Sequence, residues 1–424
     1  MGEGKNSNHI AGYSETNVRY LILADDLTGA LDTGMQLRRL GIPTKVLDGY
    51  TNEELFQYAS TPAMVVNTNS RHICPESAYQ VVWDICQEAS KYQINLIYKK
   101  TDSVLRGNIC AELQAIVASG FQTIYFAPAY PKLNRITRDG QQLIDEVLVN
   151  QSSFGKDLFN PIKTAFIPEL LEDIGLPITV VPQQMDLATL QNHRGIYIFD
   201  AETDEQLGRI AAWVAIQPGK FALAGCAGFA EHLKPILHYN RQVKEPEILT
   251  YDGMIVISGS LNPLSFTQVQ VAANAGFDVI SVEDFAGFVD QDDFEVTEEI
   301  VQKIIDVYKK NRSLIISTTS SGADYGNIEE NLKAGQRVAN RFGLLVKKIR
   351  ARGIGGLFVV SGGDTLGSIV KHTGGHSIEP LLEIEPGVVL ANISTDVETY
   401  QFITKSGGIG SADIYCAIKD IFVK

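Results

Sequence analysis

Short apolar runs, each broken by a cluster of small polar or charged residues, recur along this chain. Leu21-Ile22-Leu23 stops at Asp25-Asp26, and an amphipathic segment carrying Thr28, Gly29, Asp32, Thr33 and Gly34 follows. The run 63–66 ends in Asn67-Thr68-Asn69-Ser70-Arg71-His72, and the run 95–98 ends in Lys99-Lys100-Thr101-Asp102-Ser103-Val104-Leu105-Arg106-Gly107-Asn108. Runs at 44–47 and 123–126 have the same form, the latter ending in Ala127-Pro128-Ala129-Tyr130-Pro131. Between them apolar residues recur at helical spacing: Ala78, Val81, Val82, Ile85 and Ala89 behind Pro75, then Ile109, Leu113, Ile116 and Val117. Strands alternating with helices predict a parallel, doubly wound sheet. The polar clusters would then converge on one edge, where such sheets bind ligands.

The pattern loses definition over 133–184, which is irregular and polar and supports no assignment. It resumes with a strand at 196–200, a helix at 205–216 and a strand at 221–224 before Gly225-Cys226-Ala227-Gly228. Residues 238–246 (HYNRQVKEP) have the composition of a linker. Beyond it a second series starts. Runs at 254–257, 314–316, 357–360 and 401–403 end in Ser258-Gly259-Ser260, Ser317-Thr318-Thr319-Ser320, Ser361-Gly362-Gly363-Asp364-Thr365 and Thr404-Lys405-Ser406-Gly407-Gly408-Ile409-Gly410. A long helix with a charged outer face is predicted over 327–352. The reading is an α/β protein of two domains, each with a mainly parallel sheet flanked by helices. A disordered tail spans 1–17, the first domain 18–237, a linker 238–250 and the second domain 251–424.

Length agrees, since 424 residues exceed what one core usually organises. Hydrophobic residues make up 45% and charged ones 20%, which are globular values. The net charge of −14 leaves no electrostatic footprint for nucleic acid or an anionic membrane. Cys74, Cys86, Cys110, Cys226 and Cys416 lack C-x₂-C spacing and read as buried thiols of a reducing compartment. Residues 1–17 lack the apolar core of a signal peptide, and Asn6 stands where a myristoylation signal has Ser or Thr. No apolar run approaches 18 residues. The expected location is the cytoplasm.

Candidate chemistry sits at the strand ends. Paired carboxylates at Asp25-Asp26 can accept bonds from hydroxyls or take a proton, although one of them could simply cap the following helix. One cap needs one acceptor, which favours a site. Arg71, Lys100 and Arg106 read as an anion grip or as surface charges, and Asp102 as a site residue or the neutraliser of Lys99 or Lys100. In the second half, repeated Ser/Thr-Gly turns, one beside Lys405, point to phosphate binding by free backbone N–H groups. No P-loop and no clean G-x-G-x-x-G with a later acidic residue is present. His372 and His376 fall in a Gly-rich stretch read as a loop and are not read as metal ligands. The cysteines have no orienting base nearby, and there is no G-x-S-x-G elbow.

Taken together, ADDLTGALDTG (24–34), NTNSR (67–71), KKTDSVLRGN (99–108) and FAPAYPKLNRITRDG (126–140) resemble the N-terminal domain of the four-carbon acid sugar kinases. SGS (258–260), SGGDT (361–365), EPG (385–387) and TKSGGIG (404–410) resemble their C-terminal nucleotide-binding domain. The resemblance implies ATP-dependent phosphorylation of a terminal hydroxyl on a small sugar acid, with D-threonate and D-erythronate kinases nearer than 3-oxo-tetronate kinases. It implies acid contacts from Asp25 or Asp26, Arg71, Lys100, Thr101, Asp102 and Ser103. It implies ATP contacts from Ser258, Gly362, Gly363, Asp364, Thr365, Lys405, Gly407 and Gly408. Leu27 replaces a common Phe, residues 261–266 replace a more polar run, and Asn134 stands where Gly usually precedes Arg135.

Physical and family readings meet in one expectation. Arg71 and Lys100 hold the acid's carboxylate, while Asp25, Asp26 and Asp102 face its hydroxyls, with Asp26 preferred to Asp102 as proton acceptor. Mg²⁺ accompanies ATP, with its protein ligands unassigned. A homodimer is compatible with the sequence. The rivals are a nicotinamide-dependent oxidoreductase of hydroxy acids and a sugar-acid sensor without turnover.

Overall fold

The computed structural model describes residues 18–48, 55, 61–92, 94–157, 161–191, 193–239, 245–318 and 328–424. Its apolar runs assemble into a sheet of 15 strands. The N-terminal half contributes, in spatial order, Thr44–Leu47, Ala63–Asn67, Tyr20–Ala24, Leu96–Lys100, Ala222–Gly225, Thr123–Ala127, Gly195–Phe199 and Ile178–Val181, every neighbouring pair parallel. The C-terminal half contributes Asp278–Ser281, Ser313–Ser317, Met254–Ser258, Leu357–Ser361 and Thr399–Lys405 in parallel, then Val388–Thr395 and Gly375–Glu385 antiparallel.

Register does the positioning. Ala24 lies level with Asn67 on one side and with Lys100 on the other, so the three polar clusters of the first half leave the sheet side by side. Ser258 is likewise level with Ser317 and Ser361, and Ser361 with Lys405. Both sets sit at the carboxyl ends of their strands, as expected for ligand crevices in such sheets.

Each half carries the mainly parallel sheet expected of it, and the two sheets join edge to edge. Strand Thr44–Leu47 would otherwise expose unpaired backbone groups, and strand Gly375–Glu385 pairs with it antiparallel through Val46 and Ile378. Helix Leu27–Arg39 crosses the same seam. Arg38 meets Glu379 at 2.7 Å, Arg39 pairs with Glu383, and Gln36 Nε2 donates to Glu383 Oε1 at 2.9 Å. These partners lie more than 300 positions apart in the chain, which is why periodicity could not reveal them.

Buried clusters cover both faces. Leu21, Leu23, Met64, Val66, Ile97 and Ile124 face one way, against helices Pro75–Ala89 and Ile109–Ala118. Ile22, Val65, Tyr98 and Tyr125 face the other, against helix Leu27–Arg39. This is the two-sided burial that continuous apolar runs require. The unassigned stretch holds an antiparallel sheet of Arg135–Arg138, Gln141–Ile144 and Val147–Leu148, together with strand Ile178–Val181. The long helix runs Ile328–Ala351. His372 lies in helix Gly363–Thr373 and His376 on strand Gly375–Glu385, so neither is in the expected loop. The tail 1–17, residues 240–244 of the expected linker and Thr319-Ser320 lie outside the described residues.

Candidate active site

Asp26 takes both roles its sequence context allowed. It caps helix Leu27–Arg39, accepting from Gly29 N at 3.2 Å and from Thr28 Oγ1 at 2.7 Å, and it also lines the cavity described below. Its Oδ1 receives Arg71 Nη2 at 2.7 Å as well. Arg71 is further bound to Asp25 through two nitrogens, at 2.7 and 3.0 Å, and lies 3.7 Å from Asp102. Burial would raise the Asp25 carboxyl, but Arg71 and Lys99 outweigh it and hold the group below the usual carboxylate range. Asp102 receives Arg106 through Nε and Nη2 at 2.8 and 3.1 Å. Against its desolvation, Arg106 and Arg71 hold it well below that range.

Arg71, expected in the grip, is part of this network. Arg71 lines the cavity, yet its guanidinium is committed to three carboxylates of its own chain. Lys99, the suggested partner of Asp102, is instead fully buried against Glu112 at 3.1 Å, and Glu112 also accepts from the Ser70 hydroxyl. Asn108 Nδ2 ties the loops together, donating to the carbonyls of Ser70 and Ile73 at 2.8 Å each.

Of the other cations lining the cavity, Lys100 and Arg135 are buried. Lys100 is 4% exposed, and its ammonium makes no hydrogen bond or ion pair with any described residue. Arg135 is buried beneath the Phe154 ring, 5.8 Å from its centroid, with Nη1 on the Ser103 hydroxyl and Nε without a partner. Burial pulls the Arg135 value below that of an ordinary guanidinium, despite Asp102. The sequence assigns Arg135 no role, because it sits in the segment whose folding the periodicity does not show.

On the other half, Gly362 takes φ = +117°, a conformation that favours glycine, and delivers the chain into helix Gly363–Thr373 with no side chain capping its first turn. The neighbouring helix Pro263–Asn274 is capped by Asn262, which accepts from Leu264 N at 3.0 Å. An uncapped helix start lined by Gly363, Asp364 and Thr365 is a ready site for phosphate oxygens. A β-carbon on Gly363 would stand 3.4 Å from Asp26 Oδ2 and 3.5 Å from Thr28 Oγ1, so this turn abuts the carboxylate end of the first half.

The resulting cavity of about 680 Å³ lies between the halves. It continues into an apolar slot formed by Val282, Phe285, Phe288, Val338 and Ala339, all buried. Arg341 fixes the loop carrying the two phenylalanines by donating to the carbonyls of Gly287, Phe288 and Gln291. No polar motif marks this slot, so the sequence offered nothing to find it by.

Of the expected site residues, Asp26, Arg71, Lys100, Asp102, Ser103, Gly362, Gly363, Asp364, Thr365, Gly407 and Gly408 line this cavity. Asp25, Thr101, Ser258 and Lys405 lie behind its wall, each 2% exposed or less. Lys405 Nζ donates to Ser361 Oγ at 3.1 Å and approaches Gly407 O at 3.5 Å. Burial pushes its ammonium down to about 7, only partly offset by Glu385.

A charged polar end and an apolar slot, separated by a helix start suited to phosphate, form one cleft that suits a nucleotide beside a polar ligand. Family models agree: one described as a sugar-binding N-terminal domain matches residues 20–233, and one described as a nucleotide-binding C-terminal domain matches residues 255–415. The chain belongs to the four-carbon acid sugar kinase family and is a phosphotransferase with an alcohol group as acceptor. It is 26% identical over 422 residues to a D-threonate kinase of Salmonella typhimurium, covering 94% of this chain and 97% of that protein. It is 24% identical over 437 residues to a D-erythronate kinase of Heliobacterium modesticaldum, covering 94% and 96%, and 25% identical over 421 residues to a 3-oxo-tetronate kinase of Pseudomonas fluorescens, covering 93% and 94%. Among solved structures, a Salmonella typhimurium protein superposes with a TM-score of 0.74 at 21% identity, over 95% of this chain and 99% of that one, which establishes the fold. No described helix is long and apolar enough to cross a membrane.

Proposed function

We propose that the protein transfers the terminal phosphate of ATP to the 4-hydroxyl of a four-carbon sugar acid, D-threonate or D-erythronate. The observation that carries the reading is the approach of the uncapped Gly363 turn to Asp26 and Thr28, which sets a phosphate cradle against the hydroxyl-binding end of the cavity. Lys100 and Arg135 hold the carboxylate of the acid, since both face the cavity and neither is paired with a described carboxylate. Asp26 and Ser103 accept from or donate to its hydroxyls. Residues 18–237 form the acid-binding domain, 238–250 the linker and 251–424 the nucleotide domain.

The base of ATP fits the slot at Phe285, Phe288 and Val338, and its phosphates fit the N–H groups of Gly363, Asp364 and Thr365. No group of three or more His, Cys, Asp or Glu that could hold a metal occurs among the described residues. That fits Mg²⁺ arriving on the triphosphate, with the exposed Asp364 carboxylate at the helix start as its protein ligand. Bound there, the cation supplies neutralisation of phosphate charge. The chain itself contributes positioning and a water-poor cleft between the halves.

Mixing the protein with Mg-ATP and a panel of tetronates tests the reading, with ADP release followed and products examined by ³¹P spectra. Acid-dependent ADP release with a phosphomonoester at the terminal carbon is expected for D-threonate or D-erythronate. Release with no member of the panel would sink it.

A further inference from the structure

Both aspartates expected to take the hydroxyl proton are spoken for: Asp26 caps a helix and binds Arg71, and Asp102 is held by Arg106 and Arg71. A third carboxylate in the cavity keeps one oxygen without a partner. Asp32 lies on helix Leu27–Arg39 beyond the cap, only 8% exposed, and lines the cavity. Its Oδ1 is buried without any hydrogen-bond partner. Such an orphan is costly, and sites of function are where proteins retain one.

We propose that Asp32 is the catalytic base, receiving the proton of the acceptor hydroxyl on its carboxylate. The proposal rests on the kinase reading above. In the step, the hydroxyl oxygen forms a bond to the terminal phosphorus and the bond from that phosphorus to the bridging oxygen breaks. The electron pair of the broken bond leaves with ADP, the hydroxyl proton passes to Asp32, and it goes to solvent when the product departs.

The surroundings suit the role. Lys100 faces Asp32 from strand Leu96–Lys100, Glu231 from beyond segment Ala227–Ala230, and Glu383 from strand Gly375–Glu385, while Gln36 from its own helix hydrogen-bonds the carboxylate. Glu231 is already paired with Lys132, and Glu383 with Arg39 and Gln36. Lys100 is the cation among these neighbours. The Tyr98 and Tyr130 phenols, the Cys226 thiol and the Arg135 guanidinium also lie within its field. Desolvation, opposed by Lys100 and reinforced by Glu383 and Glu231, pushes the carboxyl up to about 7, where a base works best near neutral pH. From the other half, a β-carbon on Gly387 would stand 3.9 Å from Oδ2, so the turn at 385–387 reaches this carboxylate.

The test compares Asp32→Asn with wild type on an acid that wild type phosphorylates. We expect kcat to fall by about 10²–10⁴-fold, with the KM values for ATP and for the acid within a few-fold of wild type. Wild-type kcat should fall as pH drops below about 7, and the residual rate of the variant should lose that limb. Asp32→Ala should regain at least tenfold on addition of formate, which a merely structural role would not allow. A thermal melt checks folding, and removal of a buried charge should leave it undiminished. An Asp32→Asn enzyme within about fivefold of wild type, with its acid limb intact, overturns the proposal while sparing the kinase reading. Absence of turnover by wild type with every tetronate overturns that reading and this step with it.

Discussion

Gly29 stands against the Lys100 ammonium so closely that a β-carbon there would come within 2.8 Å of Nζ and 2.5 Å of Asp26 Oδ1. Asp26 Oδ1 is held there by its bonds to Gly29 N and Arg71, so displacing it costs the cap and outweighs the helix preference of alanine, about 1 kcal/mol over glycine. Gly29→Ala should therefore lower the melting temperature and raise the KM for the acid by tenfold or more. Steady-state kinetics beside a thermal melt would separate the two effects.

Arg71 is the keystone of the carboxylate cluster, joining Asp25, Asp26 and Asp102. Arg71→Ala should cost roughly 3–5 kcal/mol in urea unfolding, because it leaves Asp25 buried and unpaired. Lysine cannot reproduce the forked contacts, so Arg71→Lys should recover only part of that loss.

Stability should depend on pH with two opposite contributions. Asp25 and Asp102 titrate lower in the folded chain than in the unfolded one. Their contribution is complete above about pH 4 and is lost as pH falls through the depressed values. Asp32 titrates higher, at about 7, so its contribution is complete below about pH 4 and is lost as pH rises to about 7. Asp32→Asn should match wild type near pH 4 and exceed it at pH 8 by roughly 2–4 kcal/mol, read from denaturant midpoints.

The nucleotide end should respond separately. Arg341→Ala removes the donors that hold the Phe285–Phe288 loop by its carbonyls. We expect the KM for ATP to rise by roughly tenfold or more, about 1.4 kcal/mol for each factor of ten, with the KM for the acid unchanged. A variant in which both constants moved together would show that the slot does not serve ATP alone.

Lys405 offers a contrast between burial and function. It is inaccessible to solvent and its ammonium is shifted down to about 7, so the folded chain binds fewer protons than the unfolded one between about pH 7 and 10. Stability from this residue rises with pH across that window. Lys405→Met should remove the slope, visible in melts at pH 7 and 9.5.

Much of this organisation was readable in the sequence, for a definable reason. Strands buried on both faces leave unbroken apolar runs, and parallel register puts their polar ends together, so Asp26, Asn67–Arg71 and Lys100 could be placed from pattern alone. What pattern could not show was which charges satisfy one another. Arg71 and Lys100 look alike as strand-end cations, yet one is consumed by three carboxylates and the other faces the cavity. Asp32 was hidden for a similar reason: on a helix, one acidic residue among apolar ones reads as surface until its neighbours are known. The slot at Phe285 and Val338 was invisible because buried apolar residues look the same whether they line a ligand site or fill a core.

The pairing of Val46 with Ile378 also bears on how the halves stay together. A β-bridge, two ion pairs and the Gln36–Glu383 bond span the seam without help from the connecting chain. Fragment complementation should then succeed. Halves made as two separate polypeptides, divided within 240–244, should find each other through this edge and copurify. Arg38→Glu paired with Ile378→Pro should abolish that reassembly.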